Sequence, residues 1–241
     1  MFADPEVDAV LCARGGYGSN YLLPRLDLEL IARNPKPFIG YSDNTCLLTW
    51  ITDQTGLITF HGPMASKDFS ASHGVDLESW RSALSSQDGW EIDGPQSGSK
   101  VLKPGTTRGR LYGGCLSILV ESLGTPYEIR TEDSILFLED IGAKPYQIDR
   151  MLMHLKYAGK LDRVRGIVFG EMSDCVQPEG MSYRLEEVIL RVLADFAGPI
   201  AFGLRSGHVS SRNITLAIGA EAVLDTSDHV LLRYPESTVC I

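Results

Sequence analysis

The stretch "PFIGYSDNTCLLTWITDQTG" (37–56) sets the architecture. An apolar run ends at Tyr41, the chain turns at Ser42, and a helical pattern follows until Gly56. That is a strand, a tight turn and a helix. Upstream, "AVLCA" (9–13) is a second short strand, ending in the glycine turn "RGGYG". A helical pattern runs from there through "YLLPRLDLELIARNP" (21–35), interrupted at Pro24. Downstream, "LITFHGP" (57–63) is a third strand. Strands alternating with helices predict an α/β fold with a doubly wound parallel sheet. Ligands in such sheets bind at the carboxyl ends of the strands. Here those ends carry "RGGYG", "GYSD" and "FHGP".

The second half has a different character. Residues 86–106 are rich in Gly, Pro, Ser and Lys and predict a linker with one short strand. Beyond it, "GRLYGGCLSILVESLGTP" predicts a glycine turn and a helix, and "SILFLED" (134–140) a strong strand. Ile148, Met151, Leu152 and Leu155 form the i, i+3, i+4, i+7 stripe of an amphipathic helix. "VRGIVFGEM" is a strand and "RLEEVILRVLADFAGP" a helix, and the end of the chain is β-rich. The expected organisation is an N-terminal α/β domain over 1–85, a linker over 86–106 and a mixed, β-rich C-terminal domain over 107–241.

Composition excludes several functions. The formal net charge of -9 argues against nucleic acid or an anionic membrane surface as partner, because both call for a basic patch. No apolar run reaches the roughly 18–20 residues of a spanning helix. "MFADPEV" has neither the basic nor the apolar region of a signal peptide. It leads straight into a strand, as if the chain entered in the middle of an α/β unit. Five cysteines, at 12, 46, 115, 175 and 240, are widely spaced and fit reduced thiols in the cytoplasm. No His/Cys/Asp/Glu cluster has metal-ligand spacing, so neither a metal nor another cofactor is expected.

Ser42 has two readings. A serine at a strand-to-helix turn can be a nucleophile whose hydroxyl projects at a helix N-terminus. It can equally be an N-cap, and this stretch alone favours the cap. The glycines of "ARGGYGSN" can turn backbone amides toward an oxyanion or simply make a tight turn. A serine nucleophile needs a base and an orienting acid. His61 stands at a strand end and His208 in a Gly/Ser loop. His73 and His154 fit solvated positions, and His229 a structural one. Glu139 and Asp140 close the apolar strand "ILFLED" on opposite faces. A carboxylate there is half-buried and needs a partner. Cys46 or Cys115 as nucleophile is the weakest alternative.

Taken in order, "RGGYG", "GYSDNT", "FHGP", "GRLYGGCLS…LGTPYE", "LFLEDI…PYQIDRML" and "FGLRSGHVSSRNITLAIGAEAVLD" resemble the LD-carboxypeptidases. That family of serine peptidases includes the microcin immunity proteins. The resemblance spans about residues 4 to 226. It implies a Ser-His-Glu triad of Ser42, His208 and Glu139, with backbone amides of Gly16 (or Gly15) and Asp43 as the oxyanion hole. His61 then becomes a wall or structural residue. It further implies a cytoplasmic homodimer that releases D-alanine from a murein tetrapeptide, without cofactor, in cell-wall recycling. Arg14, Arg150 and Arg205 lie near matching motifs, where they could meet the substrate carboxylate or form ion pairs. Two departures stand out. Family members carry one or two further βα units ahead of "ADPEVDAV", so the strand "AVLCA" is expected to have an exposed edge. Val209 also follows His208 where many relatives have glycine. Two other functions stay open: hydrolysis of an aminoacyl-nucleotide amide, and a non-catalytic ligand-binding protein or inactive fragment. The last predicts Ser42 as a plain cap, far from Glu139 and His208.

Overall fold

A computed structural model describes residues 1–177 and 183–239. In chain order the elements are β1 (Val10–Leu11), α1 (Leu28–Arg33), β2 (Phe38–Gly40), α2 (Thr45–Thr55), β3 (Thr59–His61), α3 (Leu77–Ser85), β4 (Trp90–Asp93), α4 (Gly94–Ser97), β5 (Lys100–Lys103) and β6 (Thr106–Cys115). They continue with α5 (Leu116–Glu121), β7 (Ser134–Glu139), α6 (Pro145–Tyr157), β8 (Gly166–Gly170), α7 (Leu185–Val192), β9 (Ile200–Leu204), β10 (Leu216–Ile218), β11 (Glu221–Asp225) and β12 (Leu231–Tyr234).

Two sheets form. The smaller has the order β1-β2-β3-β10, the larger β4-β12-β11-β6-β7-β8-β9-β5. In the smaller sheet β1, β2 and β3 run parallel, with Val10 opposite Phe38 and Gly40 opposite His61. Strand β1 lies at its edge. The larger sheet has a parallel centre, β6 to β9, flanked by antiparallel strands. Every residue of β7 is buried, as a central parallel strand requires with helices on both faces.

The sheets share a core. Ile39 and Phe60 of the smaller sheet pack in one cluster with Leu136, Phe137 and Ile167 of the larger. Phe38 points the other way, into a second cluster with Ile31, Leu48 and Ile51. A polar link also joins the halves. Tyr112 Oη on β6 donates to Asp53 Oδ2 on α2 at 2.6 Å and accepts from Arg130 N at 3.3 Å. Replacing Tyr112 with phenylalanine strands a buried carboxylate oxygen and an amide. The expected cost is about 1–3 kcal/mol, read as a thermal midpoint lower by several degrees; an unchanged midpoint would show that the link contributes nothing.

Three sequence expectations need correction. The segment 86–106 is more than a linker with one short strand, since it supplies both β4 and β5, to opposite ends of the larger sheet. Trp90 and Ile92 point inward from β4 and pay the ordering cost of that strand. Next, the smaller sheet is not wholly parallel or wholly N-terminal, because β10 joins it antiparallel, Leu216 opposite His61. Finally, "GRLYGGC" is not a glycine turn but the second half of β6, whereas the helical pattern over 21–35 is interrupted at Pro24 as expected. Ser19–Arg25 forms a tight 3-10 turn around Pro24, and α1 starts afresh with Asp27 accepting from Leu30 N at 2.9 Å. Proline lacks the N–H that a continuous helix would need.

Candidate active site

The carboxyl ends of β1, β2, β3, β7 and β9 converge on one place, where each delivers a polar element. Ser42 follows β2 in the left-handed region, at φ +63°. A left-handed conformation is costly for a residue with a Cβ and is typical of residues held in place for function. Neither Tyr41, which opens the 3-10 turn Ser42–Asn44, nor Asn44, which precedes α2, makes a side-chain cap. Ser42 is therefore inside the turn, not capping it, and the cap reading falls.

The glycine turn after β1 is strapped to this serine. Asp43 Oδ2 accepts from Ser19 N at 2.9 Å. Asn44 Nδ2 donates to Arg14 O at 3.3 Å and to Tyr41 O at 3.2 Å. Gly15 comes so close that a Cβ on it would stand 2.7 Å from Ser42 Cβ. The backbone N–H groups of Gly16 and Asp43 donate to no other described residue.

Glu139 ends β7, 1% exposed. Its Oε2 accepts two hydrogen bonds from one residue, His208 Nδ1 at 2.8 Å and His208 N at 3.0 Å. An imidazole that donates from Nδ1 to a carboxylate keeps a lone pair on Nε2. Burial pushes the Glu139 carboxyl up, but the hydrogen bonds from His208 and the imidazole of His61 close by outweigh it and hold the group down at about 2. Gly207 makes the close approach possible: at φ +96° it places its Cα where a Cβ would lie 2.6 Å from Glu139 Cδ. Asn213 brackets Gly207 from both sides, accepting from its N at 2.9 Å and donating to its O at 3.1 Å. Ser173 Oγ donates to the carbonyl of His208. Tyr41, next to Ser42, meets the His208 ring edge-on with centroids 5.2 Å apart. The strand end that carries Ser42 thus touches the imidazole through Tyr41, while Ser42 and His208 make no hydrogen bond to each other. Bonds of that kind often close only with substrate in place.

Asp140 has a different job: Oδ2 accepts from Ser117 N at 2.9 Å, in the first turn of α5. His73, His154 and His229 are exposed. Arg14 flanks the glycine turn, Arg150 lies over the Tyr146 ring, and Arg205 donates to Gln96 O. Cys12, Cys46, Cys115 and Cys175 are free thiols, and Cys240 lies outside the described residues. Burial raises Cys46 to about 12 and Cys115 well above the usual thiol range, which leaves neither as a nucleophile.

Two features escaped the sequence. A cavity of about 460 Å³ opens beside the glycine turn, walled by Gly16, Tyr17, Asp43, Cys46, Glu121 and Tyr127. Its far wall comes from α5 and the loop after it, which no local pattern connects to Ser42. The second is His61, which is fully buried with Nε2 3.8 Å from Glu139 Oε1. "TFHGP" marked it as a strand-end histidine but gave no partner.

Known proteins share this arrangement of strands. The LD-carboxypeptidase N-terminal domain model matches residues 1–62 and the LD-carboxypeptidase C-terminal domain model residues 108–224. A probable murein peptide carboxypeptidase of Bacillus subtilis is 42% identical over 231 residues, 95% of this chain and 72% of the relative. The structure of a muramoyltetrapeptide carboxypeptidase from Oxalobacter formigenes superposes with a TM-score of 0.86 at 27% identity, covering 98% of this chain and 81% of the other. The microcin C7 self-immunity protein MccF of Escherichia coli is 32% identical over 253 residues, 92% of this chain and 72% of its own. A structure of MccF superposes with a TM-score of 0.90 at 26% identity, covering 99% of this chain and 79% of that chain.

Proposed function

The chain belongs to the LD-carboxypeptidase family, and on that premise we propose that it releases D-alanine from a murein tetrapeptide by a Ser-His-Glu mechanism. The observation that carries this reading is the double hydrogen bond from His208 to the buried Glu139, formed beside the strained turn of Ser42. Ser42 Oγ attacks the carbonyl of the L-centre while His208 Nε2 takes its proton. Glu139 holds the ring and stabilises the imidazolium. The N–H groups of Gly16 and Asp43 receive the oxyanion, a contribution worth about 10²–10³ in rate for each donor. As the tetrahedral intermediate collapses, the C–N bond breaks and His208 returns the proton to the leaving amine of D-alanine. Water, deprotonated by His208, then cleaves the acyl-serine and regenerates Ser42. The free thiols support a reducing compartment, so the reading places the enzyme in the cytoplasm, and the family resemblance adds a homodimer and a role in cell-wall recycling.

The strapped glycine turn supplies a direct check. Gly15→Ala drives a methyl against Ser42 and displaces the turn. Activity is expected to fall about 10–100-fold, as small misplacements near a reacting centre do, together with about 1–3 kcal/mol of stability. Unchanged kinetics in a folded Gly15→Ala protein would count against this placement of the oxyanion site.

The similarity to MccF, whose solved complexes include one with aspartyl sulfamoyl adenosine, favours one second reading. Incubation with murein tetrapeptide and, separately, with an aminoacyl sulfamoyl adenosine discriminates between them. Release of D-alanine from the first supports the proposal. Turnover of the second alone replaces it, and turnover of neither rejects both.

A further inference from the structure

Glu139 is an unusual buried carboxylate. Among the described residues, its only ion-pair partners are two histidines, and neither lysine nor arginine reaches it. His208 satisfies Oε2 twice, while Oε1 makes no hydrogen bond within normal length. A buried carboxylate oxygen without a partner is costly. The nearest donor is His61 Nε2, 3.8 Å away in the ion-pair range, and it too is buried without another partner.

The other side of the His61 ring settles where its protons belong. Nδ1 lies 3.0 Å from Ser206 Oγ, and Ser206 Oγ lies 2.8 Å from the carbonyl oxygen of Ile214. A carbonyl only accepts, so it draws the single hydroxyl proton of Ser206. The hydroxyl oxygen then accepts from His61 Nδ1–H, and a proton on Nε2 makes the ring an imidazolium. If the hydroxyl turns to Nδ1 instead, the neutral ring carries its proton on Nε2. The one arrangement that sets a lone pair against Glu139 Oε1 is a neutral ring protonated only at Nδ1. Phe137 meets the ring edge-on at 5.0 Å between centroids, and Tyr41 lies at 5.9 Å, so the ring cannot easily turn away.

We propose that His61 is a positioning residue for the acid of the triad: it presents an Nε2 proton to Glu139 Oε1 and so fixes the carboxylate while His208 cycles its own proton. The proposal rests on the triad reading above. Two histidines then divide one carboxylate. His208 uses Oε2 and keeps Nε2 free as the base, and His61 uses Oε1 and never meets the substrate. The other titratable groups that face Glu139 are Tyr41 at the end of β2, Cys115 at the end of β6, Asp140 after β7 and Cys175 in the loop after β8. None is a cation, so His61 has no substitute.

Two measurements on the full chain test this. Long-range 1H–15N spectra of the imidazoles report which nitrogens of His61 are protonated, with His61→Phe used to assign the signals. A proton on Nε2 at pH 7 is expected. A neutral ring protonated at Nδ1 alone overturns the proposal, whatever the enzyme cleaves. In kinetics with murein tetrapeptide, His61→Phe is expected to lower kcat about 10–100-fold with KM within about twofold. The acid limb of kcat/KM should move up by about one pH unit, because the carboxylate beside His208 becomes more basic. His61→Gln keeps an N–H within reach of Oε1 and should recover most of kcat and the original limb. If His61→Phe folds and leaves the pH profile unmoved, or His61→Gln recovers nothing while folding normally, His61 only fills space and the proposal is wrong. Failure of the wild type to release D-alanine would instead reject the function, leaving the spectra to decide the role of His61.

Discussion

Ser42→Ala should lower D-alanine release by about 10⁴–10⁶-fold, the range seen when the nucleophile of a serine hydrolase is removed. The cleft, the oxyanion amides and the Glu139–His208 pair all survive the change, so KM should move little. Stability provides an independent check. Ser42 is held at φ +63°, a conformation that costs a residue with a Cβ about 1–2 kcal/mol. Ser42→Ala keeps that cost, whereas Ser42→Gly relieves it. The glycine variant is therefore expected to be inactive and about 1 kcal/mol more stable, seen as a higher denaturant midpoint. A nucleophile held under backbone strain predicts this opposition of activity and stability. An ordinary turn serine predicts retained activity, and that result would defeat the assignment.

Glu139→Gln should be the second most damaging change. Oε2 accepts from both the ring and the backbone of His208. An amide can still accept there, but it is neutral and cannot stabilise the imidazolium. Loss of an orienting carboxylate in a triad costs about 10⁴ in kcat. The pH dependence of unfolding carries a second signature. The folded carboxyl is held down at about 2, against an ordinary glutamate value of 4.5. Between those values the unfolded chain binds a proton at this site that the folded chain does not, so stability falls as the pH drops through this window. Above pH 4.5 the stabilisation is fully present. Glu139→Gln has no such proton to bind, so its denaturant midpoint should fall less steeply from pH 4.5 toward 2. Parallel curves for the two proteins would show that Glu139 is not the depressed carboxylate.

Much of the framework was legible because it obeys local periodicity. Between Ser134 and Glu139, β7 is an unbroken apolar run, Ile135 to Leu138, as a strand buried on both faces requires. Alpha-helix α6 shows its stripe, and Gly56 ends α2 in the left-handed conformation. Strand β4 was harder. Trp90 and Ile92 alternate correctly with Glu91 and Asp93, but flanking Gly, Pro and Ser disguised the pattern as a linker. Strand β10 was beyond reach. Three apolar residues announce a strand and cannot say that it leaves its sequence neighbours to pair with β3.

The candidate site divides along the same line. By itself the chain determined which chemical groups are available and which strand ends carry them: Ser42 after β2, Glu139 closing β7, His208 beyond β9. Backbone periodicity and turn chemistry act over a few residues, and such information is written locally. Only the tertiary structure decided that Glu139 turns to His208, 69 positions away, that Asp140 caps α5 instead, and that His61 sits behind the carboxylate. Those choices follow from burial. Once β3, β7 and the loop after β9 share one core, each polar atom enclosed there must find a partner among the few that packing brings within reach.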